Sequence, residues 1–172
     1  MIITDPPYGK EFSDWNKLAE FAYRVLKPGG WFIVYSGQSK LDEKMASLSA
    51  TLEYYWVIAI KHKQVGIVPG FGIQNAWKPV LIYSKKPVTK IGFYDMLEGH
   101  SQEKTFHDWG QPEEEARRLI EIFTKPGDTI FEPFAGGGST IAACIESKRH
   151  CVAFEKDKKT FKLLKKRFPN SQ

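Results

Sequence analysis

Apolar residues fall along this chain in two patterns, short continuous runs and longer stretches at helical spacing. Met1 to Thr4 is an apolar run that stops abruptly at Asp5-Pro6-Pro7-Tyr8. A run halted by prolines predicts a buried strand entering a loop. From Asp14 the apolar positions Leu18, Phe21, Ala22, Val25 and Leu26 recur at helical spacing, with Ser13 or Asp14 as cap and Lys27-Pro28-Gly29-Gly30 as stop. These signals predict a helix of about three turns. Trp31 to Tyr35 reads as a continuous buried strand, Ser36-Gly37 as a break, and Leu41 to Ser49 as a second helix. Tyr54 to Lys61 and Val80 to Tyr83 are strand candidates, separated by a loop holding Gly66, Pro69, Gly70 and Gly72.

Residues 85 to 111 are polar and irregular. Pro112-Glu113-Glu114-Glu115 then sets proline in a first turn and three acids at the positive end of a helix, and Ala116, Leu119, Ile120 and Phe123 follow the i, i+3, i+4, i+7 rule. Lys125-Pro126-Gly127 ends it. Asp128 to Glu132 predicts a short buried strand leading into Pro133-Phe134-Ala135-Gly136-Gly137-Gly138-Ser139-Thr140 and a helix carrying Ile141, Ala142 and Ile145. Cys151 to Phe154 is a last strand, ending at Glu155, and a Lys-rich helix follows whose Phe161, Leu164 and Phe168 are expected to face inward. Strands alternating with amphipathic helices give an α/β fold, a mostly parallel sheet with helices on both faces, in one domain over 1–172. Ligands in such a sheet lie at strand carboxyl ends beside a switch point, which is where the loops at Asp5 and Phe134 fall.

Composition narrows the class without naming it. With 42% hydrophobic and 14% aromatic residues in 172, the chain is too apolar for disorder. Its longest apolar runs, such as Tyr54 to Ile60, are far below the roughly 18 residues of a membrane span, and no secretory signal is visible. Two cysteines, Cys144 and Cys151, are too few for a disulfide framework and are read as reduced thiols of a cytoplasmic protein. The 25 basic and 20 acidic residues give +5. The surplus sits in the last helix, where Lys156, Lys158, Lys159, Lys162, Lys165, Lys166 and Arg167 face only Asp157, so net basicity is a poor witness for nucleic acid. His62, His100, His107 and His150 lack ligand spacing, so no metal site is expected.

The two loops carry the chemistry. A strand, a glycine run and a helix start form an adenosine- or phosphate-type site, because glycines admit a ligand to the backbone and the helix offers free N–H groups. No lysine follows the glycines, as a P-loop requires, and Ile141 stands where a dinucleotide fingerprint has its third glycine. Glu155, at the end of the next strand, is placed to accept from ribose hydroxyls. The set suggests a nucleoside ligand without a polyphosphate; a tight turn beside a surface glutamate is the simpler alternative. Asp5-Pro6-Pro7-Tyr8 is stiff, because two prolines fix φ and remove two N–H donors, and it offers a carboxylate, a carbonyl and an aromatic face. That set suits a planar exocyclic amine, whose two protons the Asp5 carboxylate and Pro6 carbonyl can accept while Tyr8 stacks on the base. A rigid turn ending a strand is the alternative here too.

Asp5-Pro6-Pro7-Tyr8 followed by Phe134-Ala135-Gly136-Gly137-Gly138-Ser139-Thr140 resembles the amino-group DNA methyltransferases of the N6-adenine/N4-cytosine family in their circularly permuted, β-type motif order. Lys27-Pro28-Gly29-Gly30-Trp31 and Lys78-Pro79 to Pro87 are similar to further segments of that family. The resemblance implies a Rossmann-like methyltransferase fold binding S-adenosylmethionine, with the strands ending at Asp5 and Glu132 as neighbours. Asp5, Pro6, Pro7 and Tyr8 would form the catalytic loop, and Glu132, Phe134, Gly136, Gly138, Ser139, Thr140 and Glu155 the cofactor site. Phe71 and Trp77, in the stretch from Gly66 to Trp77, are candidates for a second wall around a flipped base.

The sequence departs from the family in three places. Glu132 stands where an aspartate is usual; His107-Asp108-Trp109-Gly110-Gln111-Pro112 keeps only the histidine and final proline of His-Pro-x-x-Lys-Pro; and the sequence begins inside the catalytic strand, so the strand and helix before it are expected to be missing or supplied by an upstream segment or a partner. The recognition region is reduced to a short insert, 88–106, which points to a separate recognition domain or subunit, or a homodimer. The expected activity is transfer of methyl to the N6 amine of adenine in DNA, as in restriction-modification. N4-cytosine methylation and an AdoMet-binding subunit dependent on a partner are the alternatives.

Overall fold

The computed structural model describes residues 1–7, 12–68, 70–88, 90–99 and 112–169. Tyr8 and the segment from His107 to Gln111 lie outside the described residues. The chain divides into two compact units, Met1–Gly99 and His100–Gln172.

The first unit contains β1 (Ile2–Thr4), α1 (Trp15–Val25), β2 (Trp31–Tyr35), α2 (Leu41–Ser49), β3 (Glu53–Val68), β4 (Ile73–Ser84) and β5 (Met96–Glu98). Its strands run in the order β5-β3-β4-β2-β1. β1 pairs parallel with β2, Ile3 facing Ile33, and β3 pairs parallel with β5. β4 is antiparallel to both its neighbours, as a hairpin partner of β3 must be. The continuous apolar runs are buried throughout: all of β1 and all five residues of β2 are inside. α1 turns Trp15, Leu18, Ala19 and Ala22 inward, and α2 is tied to β4 by the Tyr83 hydroxyl, 3.2 Å from the Met45 carbonyl.

The segment from Gly66 to Trp77, expected as a loop, is a β-ribbon. Gly66 faces Asn75, Ile67 faces Gln74 and Val68 faces Ile73, so the pairing runs out to Val68 and Ile73. Backbone pairing supplies this strand, and β-branched Val65, Ile67 and Ile73 support it, although no face of it is buried. A register shift between Lys61 and Gly66 absorbs the extra residues of β3. Residues 85–99 are not wholly irregular either. β5 adds Met96, Leu97 and Glu98 beside Ala59, Ile60 and Lys61, and the Tyr55 hydroxyl donates to the Ile91 carbonyl while accepting from its N–H.

The second unit contains α3 (Glu113–Phe123), β6 (Thr129–Glu132), α4 (Ser139–Glu146), β7 (His150–Ala153) and α5 (Lys158–Arg167). β6 and β7 pair parallel, Ile130 beside Cys151. Pro112 caps α3, and Ala116, Leu119, Ile120 and Phe123 are all buried, as their spacing predicts. In α5 only Leu164 is buried. Phe161, expected to face inward, is 48% exposed, because the helix lies over the glycine turn through its last residues rather than along its whole length. Both cysteines are free thiols; a hydrogen bond with Cys144, and then burial, push the Cys151 thiol well above its ordinary value. Among the described residues no helix is long and apolar enough to cross a membrane.

Candidate active site

The turn between β6 and α4 is built around two carboxylates. Glu132, 3% exposed at the end of β6, accepts from the Phe134 N–H through Oε1 and from the Thr140 hydroxyl through Oε2, both at 2.9 Å. Glu155, two residues beyond β7, accepts from the Gly136 N–H at 2.9 Å through Oε2 and from the Asp157 N–H at 2.7 Å through Oε1. Ala135 N–H donates to the Phe154 carbonyl, which fastens the turn to the neighbouring strand. The Phe134 to Thr140 stretch is thus held from both sides by acids, and the departure to glutamate at 132 is accommodated with both carboxylate oxygens bonded.

Two glycines in the turn adopt positive φ, Gly136 at 50° and Gly138 at 85°. Gly138 caps α4 in the left-handed region, and a Cβ there would come within 2.6 Å of Phe168 and 2.7 Å of Leu164. Close approach and backbone conformation therefore both favour glycine at 138. Ser139 follows, half-buried, at the first helical position of α4. Of the expected cofactor residues, Gly136, Gly138, Phe134, Ser139 and Glu155 line or shape this turn. Glu132 and Thr140 bond to each other beneath it.

Reading from spacing alone overlooks two residues. Arg167 is not part of a solvated lysine face: its Nη1 donates to the Gly137 carbonyl at 2.6 Å and its Nη2 pairs with Glu113, with side chains only 13% and 19% exposed. Its position at the end of a helix of otherwise exposed lysines hides that role. Phe161, with Glu155, Lys156, Lys158 and Lys162, lines a cleft of about 370 Å³ beside the glycine turn's acid. Its i, i+3 spacing to Leu164 matches a core position, and spacing does not tell a core aromatic from a cleft aromatic.

In the first unit, Asp5 is half-buried and Pro6 buried immediately after β1, while Pro7 is exposed. The register of β1 on β2, Thr4 opposite Val34, brings Asp5 to the carboxyl edge of that sheet. Phe71 stands 69% exposed at the tip of the ribbon, and Trp77 is half-buried on β4 opposite Lys61. The two aromatics are thus six residues apart along one arm, rather than together in one loop. Among the described residues no group of three His, Cys, Asp or Glu could hold a metal ion.

Residues 94–166 match the DNA methylase family. YubD of Escherichia coli (strain K12) is 25% identical over 169 residues, taking in 90% of this chain and 74% of that protein. The type II methyltransferase M.MjaI of Methanocaldococcus jannaschii is 51% identical over 47 residues, 27% of this chain and 16% of that one. M.HpaI of Haemophilus parainfluenzae is 22% identical over 97% of this chain and 67% of its own. The crystal structure of the M1.HpyAVI–SAM complex has the same fold, with a TM-score of 0.79 and 23% identity over 96% of this chain and 87% of that one. The cytosine-N4-specific PvuII DNA methyltransferase shares it at 0.74 and 16% identity, over 99% and 80%. The family match over residues 94–166, these relatives and the shared α/β fold make the chain similar to the amino-group DNA methyltransferases.

Proposed function

We propose that this chain transfers a methyl group from S-adenosylmethionine to the exocyclic N6 amine of adenine in DNA, acting on a base flipped out of the helix. The glycine turn carries this reading, with the Glu155 carboxylate bonded to the Gly136 N–H at its mouth. The residues fit a nucleoside-type cofactor: Glu155 has donors on both oxygens, yet a carboxylate has about four acceptor positions, so it can still take ribose hydroxyls. Phe161 offers an aromatic face in the adjoining cleft, and Phe134, Gly136 and Gly138 would border the cofactor. S-adenosylmethionine, when bound, supplies an electrophilic methyl group on a sulfonium.

The first unit supplies the other half of the chemistry. An aromatic amine is a poor nucleophile because its lone pair is delocalised into the ring. Asp5 and the Pro6 carbonyl accept its two protons, which favours a pyramidal nitrogen, and Asp5 is the available acceptor for the proton that nitrogen must lose on gaining a methyl. Pro6 and Pro7 fix φ and remove two N–H donors, which stiffens the turn that presents this carbonyl. Extruding the base costs a few kcal/mol, to be recovered by stacking and hydrogen bonding, in which Tyr8 takes part.

The test is methyl transfer from labelled S-adenosylmethionine to mixed-sequence DNA, followed by nucleoside analysis. N6-methyladenine from the native chain and none from Asp5→Ala is expected. Equal product from both, or no product from a chain shown to bind the cofactor, overturns the catalytic reading. N4-methylcytosine would select the second reading, which the fold shared with the cytosine-N4-specific PvuII enzyme favours; aspartate at the first motif position favours adenine. Glu155→Ala should weaken cofactor binding by about 1–3 kcal/mol.

A further inference from the structure

The β3–β4 ribbon has a charge pattern that net charge conceals. Between Glu53 and Asp95 the chain has no acidic residue, although acids make up 20 of its 172 residues. Lys61, Lys63 and Lys78 lie on the two strands of the ribbon, whereas Lys85 is bonded to the Tyr23 and Leu26 carbonyls and Lys86 pairs with Glu53 beyond the far end of β4. Lys61 pairs with Glu98 at 3.5 Å, but both side chains are more than half exposed, so the pair is weak and leaves the field cationic.

Register fixes where the ribbon goes. Val80 lies opposite both Tyr35, the last residue of β2, and Ile58 of β3. The seven steps from Val80 back to Ile73 therefore run beyond the carboxyl end of β2, about 23 Å at the rise of an extended strand. β1 is parallel to β2, so the ribbon overhangs the edge at which Asp5 emerges. Its outer part exposes Val65, Ile67, Phe71 and Ile73, between 56% and 72% accessible. A two-stranded ribbon that buries nothing is marginal by itself, and large apolar side chains exposed on both its faces and at its turn mark a contact surface.

We propose that this ribbon is the arm by which the chain grips duplex DNA, its lysine-bearing stem on the phosphates and its apolar tip at the bases. The proposal rests on the function proposed above and supplies what the short 88–106 insert lacks. A two-stranded ribbon fits the major groove, and apolar side chains at a ribbon tip are suited to contact base edges or steps. A second copy of the chain is the other candidate occupant, but an acid-free cationic arm repels its own kind and is complementary to phosphate.

The test measures binding of the full chain to a labelled duplex across a salt series, beside calorimetric binding of S-adenosylmethionine. Lys61→Gln with Lys63→Gln should make the slope of log K against log salt shallower by about 1.8, two phosphate contacts' worth. Ile67→Ser with Phe71→Ser should weaken binding about tenfold with the slope kept. Cofactor binding should be unchanged in both. If native protein binds DNA and both variants bind it equally well, the arm is refuted and the methyltransferase reading stands. If native protein binds cofactor but no DNA even at low salt, both fail. If the tip variant turns a dimer into a monomer by sedimentation while DNA affinity holds, the tip is a self-association surface and the proposal is overturned.

Discussion

Replacing Gly138 with alanine separates two demands that the glycine turn makes. The backbone there sits at φ 85°, ψ 21°, and an L-residue in that region costs about 1–2 kcal/mol. The new methyl would also meet Phe168 Cε2 at 2.6 Å and Leu164 Cδ2 at 2.7 Å. Both atoms are the far ends of side chains, so they will move rather than forbid the substitution; Leu164 is 7% exposed and has little room to do so. Overpacking of this kind costs about 1–3 kcal/mol. The sum is about 2–5 kcal/mol. Gly136→Ala is the internal control, since its φ is 50° and the nearest atom to a new Cβ is 3.9 Å away, leaving the conformational cost of about 1–2 kcal/mol alone. Equilibrium urea unfolding of both variants, and of each combined with Phe168→Ala, gives the steric share as a coupling energy confined to position 138. Equal losses at the two glycines, or no coupling with Phe168, would refute the argument that α5 packs down on this turn.

Three further outcomes are expected. Arg167→Ala should destabilise the protein by about 1.5–3 kcal/mol in chemical denaturation, because it strips partners from both Glu113 and the Gly137 carbonyl; a change within error would show that the pair is solvent-screened. Thr140→Val removes the hydroxyl donor to buried Glu132 and should cost about 1–3 kcal/mol, with Thr140→Ser recovering most of it. The Asp157 carboxyl is held below its ordinary value by the Thr160 N–H and then by its hydroxyl, so its share of stability is present above the unfolded value and lost as pH falls through the lower folded one. Asp157→Asn keeps the cap but does not titrate, and its melting temperature should fall less steeply than the native one between neutral pH and about pH 2.

Elements with a buried face are legible in the order of residues alone. α2 spans Leu41–Ser49 as its pattern predicts, and the four apolar positions of α3 are all inside, because burial and periodicity are one signal there. The outer ribbon is hidden because its signal is different in kind. Gly66, Gly70, Gly72 and Asn75 are turn formers, no face of the ribbon is buried, and the strand exists through cross-strand pairing that a single segment does not announce. β5 is three residues long and owes its extension to Ala59, Ile60 and Lys61, more than thirty positions away. At the candidate site the glycines and Glu155 stand out in the sequence, since backbone freedom and a strand-end acid are local features. Arg167 does not, because its partner Glu113 is 54 positions distant and its own helix otherwise reads as a solvated face.

The two acids that pin the glycine turn also occupy hydrogen-bond donors that such a turn would otherwise offer to a ligand. An open helix N-terminus carries roughly +0.5 of an elementary charge and draws phosphate toward it. Here the Glu132 and Glu155 carboxyl groups take up the Phe134 N–H, the Gly136 N–H and the Thr140 hydroxyl around that end. A phosphate group approaching the turn would find these donors already committed, so the turn differs from an open helix N-terminus in the ligand chemistry it invites.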